Sequence, residues 1–170
     1  MIEFMVLGLP RSGTTWASNW LTTDTTLCLH DPLWNYHYTE LDAIESQRMI
    51  GISCTGLFVF PDWLNKHPAR KIILHRNLDE INESLTKIGL EKITSEMHST
   101  LEKINGLHLP WTDIFNNPKP IYEFLLEKHF DEERHALLKK IEMQPNFAGL
   151  TIGKDVTKLL MRELGDLIGE

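Results

Sequence analysis

A glycine-bounded loop, Gly8-Leu9-Pro10-Arg11-Ser12-Gly13-Thr14-Thr15-Trp16, follows an apolar run from Ile2 to Leu7 and precedes an amphipathic run ending near Leu21. That order constrains the chain more than any other feature. A strand, a tight loop and a helix in succession make a phosphate cradle. The glycines let backbone N–H groups converge on an anion, and the helix start adds partial positive charge. The spacing Gly8-x4-Gly13 is that of a P-loop, yet Thr14 stands where nucleoside-triphosphate enzymes carry a lysine. The one cation of the loop is Arg11, two residues before the second glycine. A lysine after that glycine reaches β- and γ-phosphates, and the hydroxyl after it holds Mg²⁺. With arginine inside the loop and threonines at positions 14 and 15, the loop suits a shorter anion without a metal. The plain alternative is a Ser/Gly/Thr turn that only caps a helix.

The remaining chain supports an α/β protein with one domain over residues 1–170. Its 170 residues are enough to bury a sizeable core as a single unit. Up to about Leu90 short apolar runs alternate with helical patterns, the mark of a parallel sheet. Strands are expected at 2–7, 27–30, 49–53 and 71–75, and helices at 14–21, 38–47, 61–66 and 79–89. Past Leu90 strand signals fade. Leu101, Ile104 and Leu107 recur at helical spacing, and a Pro/Asn-rich stretch at 109–120 reads as a loop. Helical patterns follow at 121–141, with an interruption near Asp131, and at 155–168. The C-terminal part is expected to be mostly helical and to close over the ligand edge of the sheet.

A formal charge of −7 argues against non-specific binding to nucleic acid or an anionic membrane. No run approaches membrane-spanning length, and the expected compartment is the cytoplasm. Cys28 and Cys54 offer neither a disulfide framework nor metal-ligand spacing. An acidic protein that binds a polyanion must concentrate its cations locally, so the placement of arginines is informative. The segment Lys71-Ile72-Ile73-Leu74-His75-Arg76 reads as a buried strand ending in arginine, with a turn and a helix from Asp79 after it. Arg76 then sits at the carboxyl end of the sheet, where open α/β folds bind ligands. Ser84, about two turns into that helix, can face the same crevice. The alternative is an arginine paired with a neighbouring carboxylate.

The segment Pro10-Arg11-Ser12-Gly13-Thr14-Thr15-Trp16 resembles the loop of the sulfotransferases that use 3′-phosphoadenosine 5′-phosphosulfate (PAPS), which reads Pro-[Lys/Arg]-Ser-Gly-Thr-Thr-[Trp/Leu]. Arg76 and Ser84 match the same family's arginine and serine for the 3′-phosphate, eight positions apart; Leu78 and Glu80-Ile81 depart from its usual residues. The resemblance covers roughly residues 1–90. It implies a three-layer P-loop fold with a central parallel sheet flanked by helices, and PAPS as donor with 3′-phosphoadenosine 5′-phosphate (PAP) as product. It further implies no metal and a small-molecule or peptide acceptor. Arg11, Ser12, Gly13, Thr14, Thr15, Trp16, Arg76 and Ser84 would bind the nucleotide, and Arg11 would also stabilise the leaving phosphate. Trp16 would stack on adenine by resemblance, or anchor the first helical turn in the core by its residue type. No late Arg-Lys-Gly segment is found; Gly153-Lys154 is the nearest echo.

A general base is needed for the acceptor. The family's Lys-Thr-His position reads Ile52-Ser53-Cys54-Thr55 here, without a base. Some relatives place a glutamate after the second strand, where this chain has Leu29-His30-Asp31-Pro32. Family position favours Asp31, and intrinsic basicity near neutrality favours His30. A turn capped by Asp31 is the plain alternative. The other histidines show no zinc-ligand grouping and read as surface or satisfied polar residues. Trp34, Tyr36 and Tyr38 are expected in the core, with an acceptor pocket as the second reading. The charged stretch 127–140 reads as a solvated helix face, and Trp63 and Leu64 as helix anchors. The expected function is PAPS-dependent sulfuryl transfer. The alternatives are a non-catalytic binder of a phosphorylated adenosine nucleotide and, disfavoured by Thr14, a P-loop nucleoside-monophosphate kinase.

Overall fold

The computed structural model describes residues 1–141. Five strands, β1 (Ile2–Gly8), β2 (Thr26–His30), β3 (Met49–Cys54), β4 (Arg70–His75) and β5 (Leu107–Pro110), form one sheet in the order β2-β3-β1-β4-β5. Every pairing is parallel. The helices are α1 (Thr14–Leu21), α2 (Pro61–Lys66), α3 (Leu78–Lys87), α4 (Ser95–Thr100), α5 (Asp113–Asn116), α6 (Pro118–Leu126) and α7 (Glu132–Leu138).

Near-continuous apolar strands are those buried on both faces, and here each face has its own core. Phe4 and Val6 of β1, with Ile72 and Leu74 of β4, pack under Trp16, Trp20, Ile121 and Leu125. Met5 and Leu7, with Ile73, pack on the other side under Leu64, Ile81, Leu85 and Leu101. The result is a three-layer α/β protein. Gly51 in the middle of β3 has a steric reason: a Cβ there would lie 2.0 Å from the Phe4 ring.

Local signals set several helix ends. Asn77 caps α3 by accepting from the N–H groups of Asp79 and Glu80. The carboxyl end of α1 is finished from a distance. The Arg134 guanidinium of α7 donates to the carbonyls of Asn19 (2.8 Å), Thr22 (2.7 Å) and Trp20. The 127–140 stretch is therefore more than a solvated face, because Arg134 closes the three carbonyls at the end of α1.

Elsewhere the structure corrects the sequence reading. Residues 38–47 form only a 3₁₀ turn, Tyr38–Ala43, whose start is closed when Glu40 accepts from the His37 N–H; the chain is extended again at Ile44. The helical spacing of Leu101, Ile104 and Leu107 yields a 3₁₀ turn, Leu101–Lys103, and then the edge strand β5. Gly106 lies against β4, where a Cβ would meet Ile73 at 2.4 Å and the Lys71 carbonyl at 3.0 Å, so the chain passes too close for a helix. The loop expected at 109–120 holds α5 and the start of α6. The pattern at 121–141 divides into α6 and α7 at Glu127, which adopts φ 52. Trp34 is 87 % exposed and Tyr36 is exposed as well; of the three expected core aromatics only Tyr38 packs, on Phe60 and Trp63. The expected helix at 155–168 and Gly153-Lys154 lie outside the described residues. Among the described residues no helix is long and apolar enough to cross a membrane.

Candidate functional site

β1 lies between β3 and β4, and the chain leaving it crosses to β2 on one side, whereas the chain leaving β4 crosses to β5 on the other. The two loops diverge at the carboxyl ends, which makes the crevice that receives ligands in doubly wound sheets. The glycine loop follows β1. Gly13 takes φ 84, in the left-handed region open to glycine, and Arg11 takes φ 70. The Ser12 N–H donates to the Leu9 carbonyl at 3.2 Å, so its amide is used within the loop. The cradle therefore consists of the N–H groups from Gly13 into the first turn of α1, where no side chain supplies a cap. Ser53 Oγ donates to the Thr14 carbonyl at 2.7 Å and pins that turn to β3. Ser12 Oγ is buried and has no hydrogen-bond partner among the described residues, an orphan polar atom that suits a cradle built for an anion.

Two arginines converge on this loop. Arg11 Nε donates to Ser84 Oγ at 2.8 Å, bridging the loop and α3. Arg76 donates to the Arg11 carbonyl at 2.5 Å, pairs with Glu80 at 3.1 Å, and stands 4.6 Å over the Trp111 ring. Arg11, Arg76 and Ser84 are thus brought together across 65 and 73 positions of sequence. Burial, and then the neighbouring Arg76 cation, lower the Arg11 pKa from its ordinary value. Two arginine cations are thus held at one loop, one of them already paired with Glu80, and they gather positive charge at the carboxyl edge of the sheet.

On the opposite side of the loop, His30 Nε2 lies 3.1 Å from Thr15 Oγ1 and 3.3 Å from Asp31 Oδ2. Asp31 adopts φ 43, and its Oδ1 accepts from the Thr55 N–H (2.6 Å) and hydroxyl (3.1 Å). Its side chain does not cap the turn Pro32–Trp34 that follows. The carboxylate is held at the end of β3 with Oδ2 3.3 Å from His30 Nε2, so the two candidates lie side by side. Beyond Asp31 opens a cavity of about 230 Å³ bordered by Leu33, Trp34 and Thr55.

Trp16 is 5 % exposed and packs on Trp20, Phe115 and His135. Helix anchoring is its observed role; the ring also borders a cavity of about 210 Å³ between Arg11, Arg76, Trp111 and Lys139. Sequence reasoning overlooked Trp111, which β5 and its pairing with β4 carry to the site; the Trp111 N–H donates to the His75 carbonyl at 2.9 Å. It also missed the grouping of His75, His98 and His108 beside Arg76, since no motif spacing links them. Both cysteines are free and buried, and burial pushes the Cys54 thiol up to about 12, which excludes a thiolate nucleophile near neutrality. Among the described residues no three His, Cys, Asp or Glu side chains are grouped to hold a metal.

Fold and site together define a parallel α/β protein with an arginine-bearing glycine loop at the carboxyl edge of its sheet. No protein-family model matches the chain, and no curated protein matches it in sequence.

Proposed function

We propose that the protein transfers a sulfuryl group from PAPS to a hydroxyl or amine acceptor. The observation that carries this reading is the bond from Arg76 to the Arg11 carbonyl, beside that from the Arg11 guanidinium to Ser84, which together tie the loop after β1 to the segment after β4. Two cationic centres flanking a lysine-free glycine loop suit a nucleotide bearing separate 5′ and 3′ anions, and the motif resemblance points to the same ligand. The N–H groups at the start of α1 and the Arg11 guanidinium would hold the 5′-phosphosulfate. Arg76 would take the 3′-phosphate, and Trp111, with the edge of Trp16 that borders the cavity between the two arginines, would flank the base. In the transfer the acceptor oxygen or nitrogen bonds to sulfur and the bond from sulfur to the phosphate oxygen breaks. Charge growing on that oxygen meets donors already in place. The acceptor proton passes to the His30–Asp31 pair, next to both the loop and the cavity beyond Asp31. We place the reaction in the cytoplasm, a reading supported by two free, buried cysteines.

Calorimetry with PAP and with ATP·Mg²⁺ tests the nucleotide. PAP is expected to bind without metal and tighter than ATP·Mg²⁺; the reverse order overturns the reading. A non-catalytic nucleotide binder is the second reading, favoured by the two bonds from Thr55 that hold Asp31 Oδ1 as a structural tie. Tight PAP binding with no transfer of labelled sulfate to phenolic, alcohol, amine or carbohydrate acceptors supports that one.

A further inference from the structure

His75 at the end of β4, His108 of β5 and His98 of α4 meet beside Arg76 around a cavity of about 560 Å³ with an apolar wall that includes Leu78 and Leu109. Their hydrogen bonds assign the protons. His108 Nε2 lies 2.8 Å from the Ile104 carbonyl, which only accepts, so Nε2 carries the hydrogen and Nδ1 the lone pair. His75 Nε2 lies 2.7 Å from His108 Nδ1 and must be the donor, which leaves a lone pair on His75 Nδ1. His98 Nε2 lies 3.2 Å from the Arg76 carbonyl, donates to it, and likewise leaves its Nδ1 as the acceptor. A proton added at Nδ1 of His75 or His98 breaks none of these bonds and creates a cationic donor. A proton added to His108 would break its link to His75. The cluster therefore accepts two protons without structural loss.

Each added proton meets other positive charge. Arg76, His98 and His108 surround His75; Glu102 is the carboxylate acting on it, and Glu80 is already paired with Arg76. Burial and the neighbouring imidazoles hold His75 below the ordinary histidine range. Such a site is near neutral when empty and becomes strongly cationic only when an anion compensates the charge. We propose that the histidine pocket beside Arg76 binds a dianionic oxyanion, a phosphate or sulfate group, and takes up protons as it does so. The inference stands whether or not the glycine loop holds PAPS. If it does, the oxyanion is either the nucleotide's own second phosphate or a separate anion.

Inorganic sulfate is the probe, because its charge does not change across the relevant pH. Imidazole resonances of the intact protein are followed by NMR from pH 8 to pH 5.5, with and without sulfate. The midpoints of His75 and His98 are expected to rise with sulfate. Sulfate affinity is expected to increase at least about tenfold over that range, because protons taken up with the anion favour binding at the lower pH. In the H75Q/H98Q protein most of that increase is expected to vanish, while weaker binding at the glycine loop persists. Midpoints indifferent to sulfate overturn the proposal from the unsubstituted protein alone; so does an increase that survives undiminished in H75Q/H98Q. Calorimetry in buffers of different ionisation enthalpy identifies the source. Proton uptake with PAP but not adenosine 5′-phosphosulfate supports the nucleotide's second phosphate; uptake with neither, beside the sulfate response, supports a separate anion. Failure of PAP to bind overturns the sulfotransferase reading and leaves the sulfate result untouched.

Discussion

Replacing Arg76 with alanine removes a group that serves the loop and the ligand at once. The Arg76 side chain is 20 % exposed, and its guanidinium donates to the Arg11 carbonyl, stands over Trp111 and pairs with Glu80. A charge-assisted bond to a carbonyl contributes about 1.5 kcal/mol at the low end of its range. The stack on the indole adds roughly 0.5–1 kcal/mol, and the solvent-facing pair with Glu80 no more than about 0.5 kcal/mol. Arg76→Ala is therefore expected to cost about 2–3 kcal/mol of stability, roughly 4–12 °C in Tm for a chain of this size. Ligand affinities separate the two roles. Loss of a direct contact to a 3′-phosphate is expected to weaken PAP about 10–150-fold, from roughly 1.5–3 kcal/mol. Adenosine 5′-phosphosulfate, which lacks that phosphate, should lose only what a loosened Arg11 costs, about two- to fivefold for a few tenths to 1 kcal/mol. Arg76→Lys keeps the charge but not the planar fork and should fall between. Thermal melts and calorimetry with both nucleotides decide the matter. Equal losses for the two ligands, or an unchanged Tm, refute the reasoning.

Three further perturbations address the base, the loop and the core. Asp31→Asn and His30→Gln should each lower transfer about 10²–10⁴-fold with PAP affinity nearly intact, because base catalysis acts on the acceptor proton; full activity in both, measured with labelled PAPS, places the base elsewhere. Gly13→Ala forces a side chain to φ 84 and sets its Cβ 2.9 Å from Ile114 Cδ1. The left-handed backbone alone costs about 1–2 kcal/mol, so a denaturant midpoint equal to that of the parent protein would contradict the loop geometry. His135 sits among Trp16, Trp20 and Phe130, donates Nε2–H to the Ile114 carbonyl, and has a pKa lowered chiefly by burial. Its charged form is favoured in the unfolded chain, so its contribution is complete above the ordinary imidazole value near 6.5 and is lost as pH falls below it. Between about pH 7.5 and pH 5.5 the parent should lose more stability than His135→Gln; equal loss removes His135 as a cause, and His75, shifted in the same direction, accounts for what persists in the variant.

The central sheet and the cradle are written locally. Phe4 to Leu7 and Ile72 to Leu74 are apolar without alternation because both faces are covered, and a run of that kind bounded by glycine or a turn is recognisable without its partners. The same holds for the Gly8–Gly13 spacing and for Asn77 at the start of α3, where the constraint spans a few residues. What the fold alone decided has no such local source. β5 is short and largely exposed, and only pairing with β4 makes it a strand, yet it delivers Trp111 and His108. Trp34 looks like a core residue by composition and is solvent-facing because the chain turns at Asp31 with φ 43. Arg134 looks like a surface charge and closes a helix more than a hundred residues earlier. Arginine type and strand-end position were legible for Arg11 and Arg76, but their contact through the Arg11 carbonyl was not, nor the joining of His30 with Asp31 and Thr15. Sequence periodicity reports which face of an element is buried; the meeting of polar groups across a crevice depends on strand order and crossover direction, which exist only once the sheet has assembled.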